Sequence, residues 1–415
     1  MSQTIFIVII SILLAEYLIS RVLDYLNAQW RGKALPAELQ GIYDEEKYKK
    51  SQAYGKTNSK FALISGTFQL ILILFMLFLG GFAYFDGIAK EISNHPVWSA
   101  LIFFGILFFL SDIINLPFSL YATFVIEEKF GFNKTSAKTF VLDKLKGWLL
   151  TIIIGGGLLG LIIWLYFQTT DMFWIYAWAA ISVFSIFMSM FYSNLIVPLF
   201  NKQSPLEEGE LRDAISEFGK KAGFKIDNIY VIDGSKRSSK ANAYFTGLGK
   251  KKRIVLYDTL INDLSVEEIV AVLAHEIGHY KLKHTLTSMV LSIVQTGVIF
   301  YILSLFIGNS DLSMALGADG YSFELSLIAF GMLFSPISTV IGLFMNTFSR
   351  KNEYQADSYA NSYGLGASLI SSLKKLSVNN LTNLTPHPAY VFAYYSHPTL
   401  YQRIVAINKN ARKRD

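Results

Sequence analysis

The chain has 415 residues, of which 52% are hydrophobic and 16% are charged, and its formal net charge is +6. The apolar residues cluster in long runs, so the composition excludes an ordinary soluble protein and indicates a membrane protein. The sequence has no cysteine, which excludes disulfides and thiolate ligands, so any metal must be bound by His, Asp or Glu. The basic residues lie between the apolar runs, which favours membrane orientation over a nucleic-acid partner.

Seven apolar runs are long enough to cross a bilayer, since a spanning helix needs about 20 mostly apolar residues. The first run lacks a basic start and a cleavage site, so we expect it to be a retained span. The third run contains Asp112, Asn115 and Pro117, which predicts a tilted or broken helix. The pattern predicts an α-helical polytopic membrane protein with spans near residues 3–22, 61–85, 98–125, 148–168, 173–198, 286–308 and 325–347.

Lysine and arginine are unevenly distributed among the connections between these runs. They are abundant after the first and third runs, whereas the connections after the second, fourth and sixth runs carry Lys90 at most. The positive-inside rule then predicts an outside N-terminus and cytosolic segments at residues 201–285 and 348–415. The membrane is expected to be a bacterial inner membrane or the endoplasmic reticulum, with the active site on the cytosolic side.

Four polar residues fall inside the predicted spans. Such residues either form hydrogen bonds between helices or interface contacts, or face a watery cavity, and the sequence leaves both interpretations open. The four are Glu16, Asp112, Asn115 and Glu324.

The motif with the clearest chemistry is H-E-x-x-H, at His275, Glu276 and His279. On a helix, positions i and i+4 share a face, so both imidazoles can bind one Zn²⁺. Glu276 can then act as general base on a water that the metal activates. Ser265 and Glu268 form a capping-box pattern that predicts the start of this helix.

Short elements precede the motif. Residues 205–223 are predicted to be an amphipathic helix, and Ile229–Ile232 and Arg253–Tyr257 are predicted strands. Between them, Asn242 and Ala243 begin a segment that we interpret as an edge strand beside the metal helix, although an ordinary hairpin strand also fits. An exposed edge can bind an extended peptide through backbone hydrogen bonds.

Catalytic zinc usually has three protein ligands and an open position, so a third ligand must come from elsewhere. Glu353 and Asp357 follow the last run at i and i+4 on its expected helical continuation. Glu353 is the candidate ligand and Asp357 the carboxylate that orients a ligand histidine. A solvated charged stripe is the alternative interpretation.

The remaining polar candidates lie near the C-terminus and beside the motif. His397 and Arg403 are candidates for stabilising the oxyanion formed in peptide hydrolysis. His284 lies five residues after His279, off the ligand face, and is expected to be an interfacial residue. His387, between two prolines, is assigned no role.

At this point the chain resembles the type I CAAX prenyl proteases, which are integral-membrane zinc endopeptidases. The resemblance covers nearly the whole chain, and one departure is Ser239-Lys240-Ala241, where relatives often carry His-Ser or similar small polar residues. It rests on the H-E-x-x-H helix and on the segments Ile126–Lys134, Pro198–Lys202, Pro205–Gly209, Ser239–Phe245, Asn352–Asp357 and Ser396–Arg403.

The resemblance implies seven spanning helices around a large water-filled chamber, with a small α+β zinc-protease domain on the cytosolic side. It implies one Zn²⁺ per chain, bound by three ligands, with Glu276 as base. His397 and Arg403 would line the site, Asp357 would support it, and Asn242 and Ala243 would hold the substrate peptide. The implied ligands are His275, His279 and Glu353.

The implied activity is removal of the last three residues of prenylated CAAX proteins, with membrane-protein quality control as a related role. Its partners would be a prenylated or membrane-associated substrate and the lipid bilayer. The alternative is a transporter or channel with a structural metal site. The expected organisation is a membrane segment at 1–200, a catalytic segment at 201–285, two spans at 286–347, and a C-terminal segment at 348–415 with the third ligand.

Overall fold

The structure is a computed structural model that describes residues 1–224, 228–246 and 253–411. Most of these residues are helical, and a small four-stranded sheet lies with the helices that carry the H-E-x-x-H motif. The helices of the first half are α1 (Ser2–Trp30), α2 (Glu45–Phe78), α3 (Gly81–Ile92), α4 (Pro96–Tyr121), α5 (Ala137–Leu150), α6 (Gly157–Thr169) and α7 (Phe173–Leu195).

The second half combines the sheet with further helices. Its strands are β1 (Gln203–Pro205), β2 (Ile229–Ile232), β3 (Ala243–Thr246) and β4 (Arg253–Tyr257). Its helices are α8 (Glu210–Lys221), α9 (Asp258–Asp263), α10 (Val266–Lys281), α11 (His284–Phe306), α12 (Ser310–Ala315), α13 (Phe323–Ser362), α14 (Gly366–Asn379), α15 (Pro388–Tyr394) and α16 (Leu400–Ala411).

Among the described residues, six uninterrupted helical stretches are long and apolar enough to cross a membrane. The longest, Ala137–Phe200, contains two of the predicted runs. These runs fold back on each other at a turn where Thr170 has a positive φ of 42°, and α6 packs against α7. The stretches therefore contain the seven predicted spans, although the second ends at Phe78 instead of near residue 85, and the chain is a multi-pass membrane protein.

The spanning helices form a ring. Each packs against the next along the chain: α1 on α2, α2 on the turn after α4, α4 on α6, α6 on α7, α7 on α11, α11 on α13, and α13 on α1. Only 6 to 17% of the residues in their most apolar windows are buried. Low burial is expected of helices whose outer faces contact lipid, and the water-filled chamber stays a prediction.

The third span was predicted to be tilted or broken, and it is continuous, so the break is wrong and the tilt stays a prediction. Pro117 lies inside α4, and a π-helical turn at Ala122–Glu127 follows it. Pro117 removes one backbone donor, and the wider turn absorbs the irregularity without ending the helix.

Polar residues in the spans bond mainly to neighbouring helices. Asp112 accepts a hydrogen bond from Lys144 Nζ at 2.5 Å and another from Trp148 Nε1 at 3.0 Å. Asn115 accepts a hydrogen bond from Gln69. Glu324 is buried and accepts from Ser322 at 3.1 Å. For Asp112 and Asn115 the structure favours the interhelical interpretation, whereas the Ser322 that bonds to Glu324 caps the start of the same helix. No described residue bonds to the buried Oε1 of Glu16.

The sheet has the strand order β1-β2-β4-β3, with β2 and β4 parallel and both outer pairs antiparallel. Both predicted strands are confirmed, and β3 is at the edge of the sheet. The predicted helix over 205–223 is too long, because residues 203–205 pair with β2 and only Glu210–Lys221 is helical. Leu206 therefore packs into the core from a loop.

Two helices position the motif. The hydroxyl of Ser265 accepts from Glu268 N, and the Glu268 carboxylate accepts from Ser265 N, so the capping box that starts α10 is confirmed. The apolar face of α10 is buried, with Ile269, Leu273 and Ile277 almost fully enclosed. This face packs against α13, α14 and α8, which fixes the height and rotation of the motif.

Candidate metal centre

The two motif histidines point their Nε2 atoms at each other from successive turns of α10. The His275 Nε2 and His279 Nε2 atoms are 3.2 Å apart. The side chain of His275 is 8% exposed and that of His279 is 21% exposed. The pair therefore offers two imidazole nitrogens to one point at the edge of a cavity.

Glu353, near the C-terminal end of α13, faces the same point. Its Oε2 atom is 3.4 Å from His275 Nε2, and its Oε1 atom is 3.3 Å from His279 Nε2. A tetrahedral ion with ligand bonds of about 2.0–2.2 Å holds its ligand atoms about 3.3 Å apart. Among the described residues, His275, His279 and Glu353 form a group able to hold a metal. The solvated-stripe alternative is wrong for Glu353, which is buried.

One oxygen of the Glu353 carboxylate has no hydrogen-bond donor among the described residues, as expected of an atom that binds a cation. This atom is Oε2, and it is buried. A buried ionised oxygen without a donor is costly. A divalent cation between Oε2 and the two Nε2 atoms would remove that cost, so the donor set fits a metal of zinc type.

Asp357 supports His275 from the opposite ring nitrogen. Its Oδ1 atom lies 2.9 Å from His275 Nδ1. Arg403 holds Asp357 in turn, with Nε donating to Oδ2 at 2.9 Å and an Nη atom donating to Oδ1 at 2.5 Å. Burial alone would lower the pKa of His275, but its pairing with the Asp357 and Glu353 carboxylates outweighs burial and raises the pKa to about 9.

The prediction that His284 is an interfacial residue is wrong. The residue is buried rather than interfacial, and its Nδ1 atom is 3.1 Å from His279 Nδ1. The helix α10 ends at Lys281 and Lys283 has a positive φ of 61°, which turns the chain back toward the site. Helical spacing could not reveal this contact, because the helix does not continue to residue 284.

His387 is structural. Its ring Nδ1 accepts from Ala389 N at the start of α15, and the ring packs edge-on against Trp30. It lies outside the group of residues that line the metal cavity.

An open cavity of about 360 Å³ brings the predicted residues together. All the predicted site residues except Asp357, which lies behind His275, line it. Glu276 faces the cavity and bonds to no described residue, so its carboxylate is available to a water molecule. The predicted residues in the lining are Asn242, Ala243, His275, Glu276, His279, Glu353, His397 and Arg403.

His397 and Arg403 differ in accessibility. The side chain of His397 is 63% exposed, with Nε2 3.4 Å from Glu353 Oε1 and Nδ1 2.9 Å from the Ser396 hydroxyl. Arg403 is buried, and it is engaged by Asp357 while one Nη atom lies 3.6 Å from Glu353 Oε2. His397 can therefore reach a ligand in the cavity, whereas Arg403 chiefly positions the two acids.

The edge strand is anchored from the membrane side. Lys240, two residues before Asn242, donates to Glu127 Oε2 at 2.8 Å and to the Tyr54 hydroxyl at 3.1 Å. Its ammonium also lies 4.3 Å from the centre of the Phe132 ring. Burial lowers the pKa of Lys240, and these bonds outweigh it and raise the pKa. The departure from the family pattern thus has a local function as a tether between β3 and the spans.

The apolar wall of the cavity was not predicted from the sequence. This wall comes from α9, α10 and α14, and it faces the polar residues across the cavity. The spacing of three of its leucines, i, i+4 and i+7 on α14, was a signal that periodicity could have found. The wall residues are Leu260, Val272, Leu369, Leu373 and Leu376.

Comparisons with known proteins agree with this geometry. Residues 24–202 match the family model for the CAAX prenyl protease N-terminal region, described as five membrane helices, and residues 205–411 match the model for peptidase family M48. A CAAX prenyl protease 1 homolog of Arabidopsis thaliana is 36% identical, with 92% of each chain covered. The chain belongs to the CAAX prenyl protease 1 family. It is therefore a membrane metallopeptidase.

Two further relatives extend the match along the chain. The CAAX prenyl protease 1 of Saccharomyces cerevisiae is 34% identical, over 97% of this chain and 94% of that protein. The crystal structure of S. mikatae Ste24p is similar to this family member with a TM-score of 0.92, at 35% identity over 97% of this chain and 98% of that chain. A match of this extent covers the spans as well as the metal centre.

Proposed function

We propose that the chain is a zinc endopeptidase that removes the C-terminal tripeptide of prenylated CAAX proteins. The single observation that carries the proposal is the convergence of His275 Nε2, His279 Nε2 and a Glu353 carboxylate, each 3.2 to 3.4 Å from a neighbour. The names of the similar proteins support the substrate class. A role in clearing membrane proteins would use the same site.

The proposed chemistry divides the reaction among the chain's own residues. Bound by the three ligands, zinc would lower the pKa of a water and polarise the scissile carbonyl. Glu276 accepts the proton of the attacking water on its carboxylate and then delivers it to the leaving amine. His397, exposed and 3.4 Å from Glu353, donates a hydrogen bond to the developing oxyanion.

The substrate peptide is proposed to lie along β3. This strand pairs with β4 on one side only among the described residues, from Ala243 opposite Leu256 to Thr246 opposite Arg253. Its first residue, Ala243, and the preceding Asn242 line the metal cavity, so a peptide added to the free edge would pass Glu276. The leucine wall opposite would receive the aliphatic side chains of the tripeptide.

The test separates the base from the ligands. Glu276→Gln should retain fold and zinc but lose cleavage of a fluorescent farnesylated CAAX peptide, because it removes only the proton acceptor. Glu353→Ala and His279→Ala should lose zinc, measured by elemental analysis. Turnover by Glu276→Gln at the wild-type rate, or wild-type zinc content in either ligand variant, would contradict the proposal.

The same test addresses the transporter alternative. A structural metal site predicts that Glu276→Gln leaves function unchanged. The arrangement of the site argues against it, because a structural zinc site has four protein ligands, whereas three residues of the described part of the chain converge here and the fourth side opens into a cavity.

We also propose that the metal centre is cytosolic, as the distribution of lysine and arginine indicates. The chain has no native cysteine, so single cysteines report sidedness cleanly. Ser204→Cys should react with a membrane-impermeant maleimide only from the cytosolic side, and Ser93→Cys only from the other side. Ser204 is exposed and Ser93 is partly exposed. The reverse labelling pattern would overturn the orientation.

A further inference from the structure

A second cavity, of about 600 Å³, lies apart from the metal centre. It is open and is formed where α5, the end of α7 and the sheet meet. Its lining includes four basic residues, contributed by four separate segments of the chain: Lys146, Lys202, Lys236 and Arg253. None of them belongs to the metal cavity or to its lining.

The charge of this cavity is uncompensated. Asp233 is its one acidic lining residue among those described, against four cations. Lys202 and Lys236 are exposed and form no ion pair with any residue that the structure describes. Arg253 is held in place, because its guanidinium lies 3.8 Å from the centre of the Tyr230 ring and bonds to Asn194.

The cavity lies at the membrane boundary. Lys146 precedes the apolar run 148–168 by two residues and donates to the backbone oxygen of Leu199 at 2.6 Å. Leu199 follows directly after the C-terminal end of the next apolar run, 173–198. Both spans therefore leave the bilayer at the floor of the cavity.

Apolar side chains surround this floor. Four leucines at the ends of the two adjoining helical segments are each about half exposed, and one of them, Leu199, lines the cavity. Exposed aliphatic side chains next to a cluster of cations match a molecule with an anionic head and hydrocarbon tails, whereas a soluble anion would use the cations alone. The leucines are Leu145, Leu149, Leu195 and Leu199, exposed by 50%, 57%, 50% and 46%.

We propose that this cavity binds the headgroup of an anionic glycerophospholipid of the bilayer, with the acyl chains along the exposed leucines. The phosphate would be held by Lys202, Lys236 and Arg253. Because Arg253 is on β4, which pairs with β3, the bound lipid would fasten the sheet that carries the proposed substrate edge to the membrane. The inference does not depend on the peptidase substrate.

Native mass spectrometry of the full-length protein tests the proposal. Phosphatidylglycerol and phosphatidylcholine with identical acyl chains are titrated separately into the detergent-purified protein. The test variant is Lys202→Gln/Lys236→Gln, and the control is Lys220→Gln/Lys409→Gln, which removes the same charge at exposed positions outside the cavity. Thermal stability and zinc content of both variants are measured to show that folding is intact.

We expect the wild type and the control to retain phosphatidylglycerol in preference to phosphatidylcholine. The test variant should lose about 10- to 30-fold in phosphatidylglycerol affinity, since each lysine near an anionic lipid surface contributes measurably to attraction. Three results would overturn the proposal: equal retention of the two lipids by the wild type, equal loss in both variants, or displacement of the lipid by an equal concentration of glycerol 3-phosphate or of a soluble acidic peptide.

Discussion

His284 Nδ1 lies 3.1 Å from His279 Nδ1, and the Nε2 atom of His284 lies 2.9 Å from Gln355 Oε1. With His279 Nε2 turned to the metal position, its Nδ1 carries the hydrogen and donates to His284, which donates from Nε2 to Gln355. Gln355 is two residues after Glu353 on α13. One turn of this helix therefore supplies the candidate ligand Glu353 and also Gln355, which holds His284 against the ligand His279.

His284→Ala should weaken zinc binding about 10- to 100-fold, the usual range for losing a residue that orients a metal ligand. His284→Asn should recover much of the loss, because its amide oxygen can accept the hydrogen bond of His279. Competition with a zinc chelator measures both. His95→Ala, at an exposed position at the start of α4, is the control, and wild-type affinity in His284→Ala would exclude the supporting role.

Zinc uptake should release a proton from His275 at neutral pH, because the pKa of His275 in the metal-free protein is raised to about 9. Its ion pairs stabilise the metal-free protein below pH about 6.5, the ordinary pKa, and this contribution is lost as pH rises through about 9. Calorimetry at pH 7.5 in two buffers of different ionisation enthalpy counts the released protons. We expect about one, and fewer in Asp357→Asn; no buffer dependence in the wild type would contradict this.

Gly278→Ala should weaken the metal centre by disturbing the packing of α10 on α13. A Cβ at this position would lie 3.2 Å from the backbone Cα of Ala356 and 3.1 Å from Tyr359 Cβ, so α10 and α13 must separate. Overpacking of this kind typically costs about 1–3 kcal/mol. It also moves Glu353 away from both histidines, so we expect lower thermal stability and weaker zinc binding. The control is Gly342→Ala on α13, where a Cβ meets open space; equal effects in both variants would refute the argument.

Glu127→Gln should loosen the edge strand while leaving the metal centre intact, because it removes the charge that holds Lys240. We expect roughly a tenfold rise in KM for a CAAX peptide, in the range expected for losing a charge-assisted hydrogen bond, with zinc content and kcat nearly unchanged. Glu128→Gln, at the exposed neighbouring position, is the control. A fall in kcat at constant KM in Glu127→Gln would place its effect on the chemistry instead of the substrate edge.

Local patterns were sufficient for much of the architecture. The seven spans follow from apolar length alone, because a bilayer requires about 20 apolar residues wherever they occur. The capping box at Ser265 and the strands Ile229–Ile232 and Arg253–Tyr257 also match, since their signals lie within a few residues. The helix expected over 205–223 is wrong at its start because the strand pairing of Gln203–Pro205 with β2 overrides the amphipathic pattern.

The sequence by itself determined a chain that spans the membrane and carries, on one helix, two histidines at metal-binding spacing and the candidate base Glu276. Which distant groups join them was decided by tertiary structure, because contacts between α10 and α13 connect residues about 80 positions apart and leave no periodic trace. Helix packing against α13 brings Glu353 within 3.4 Å of His275, and the turn at Lys283 brings His284 to His279. The cation cavity has the same origin, since its four basic residues come from separate segments that meet only in the folded chain.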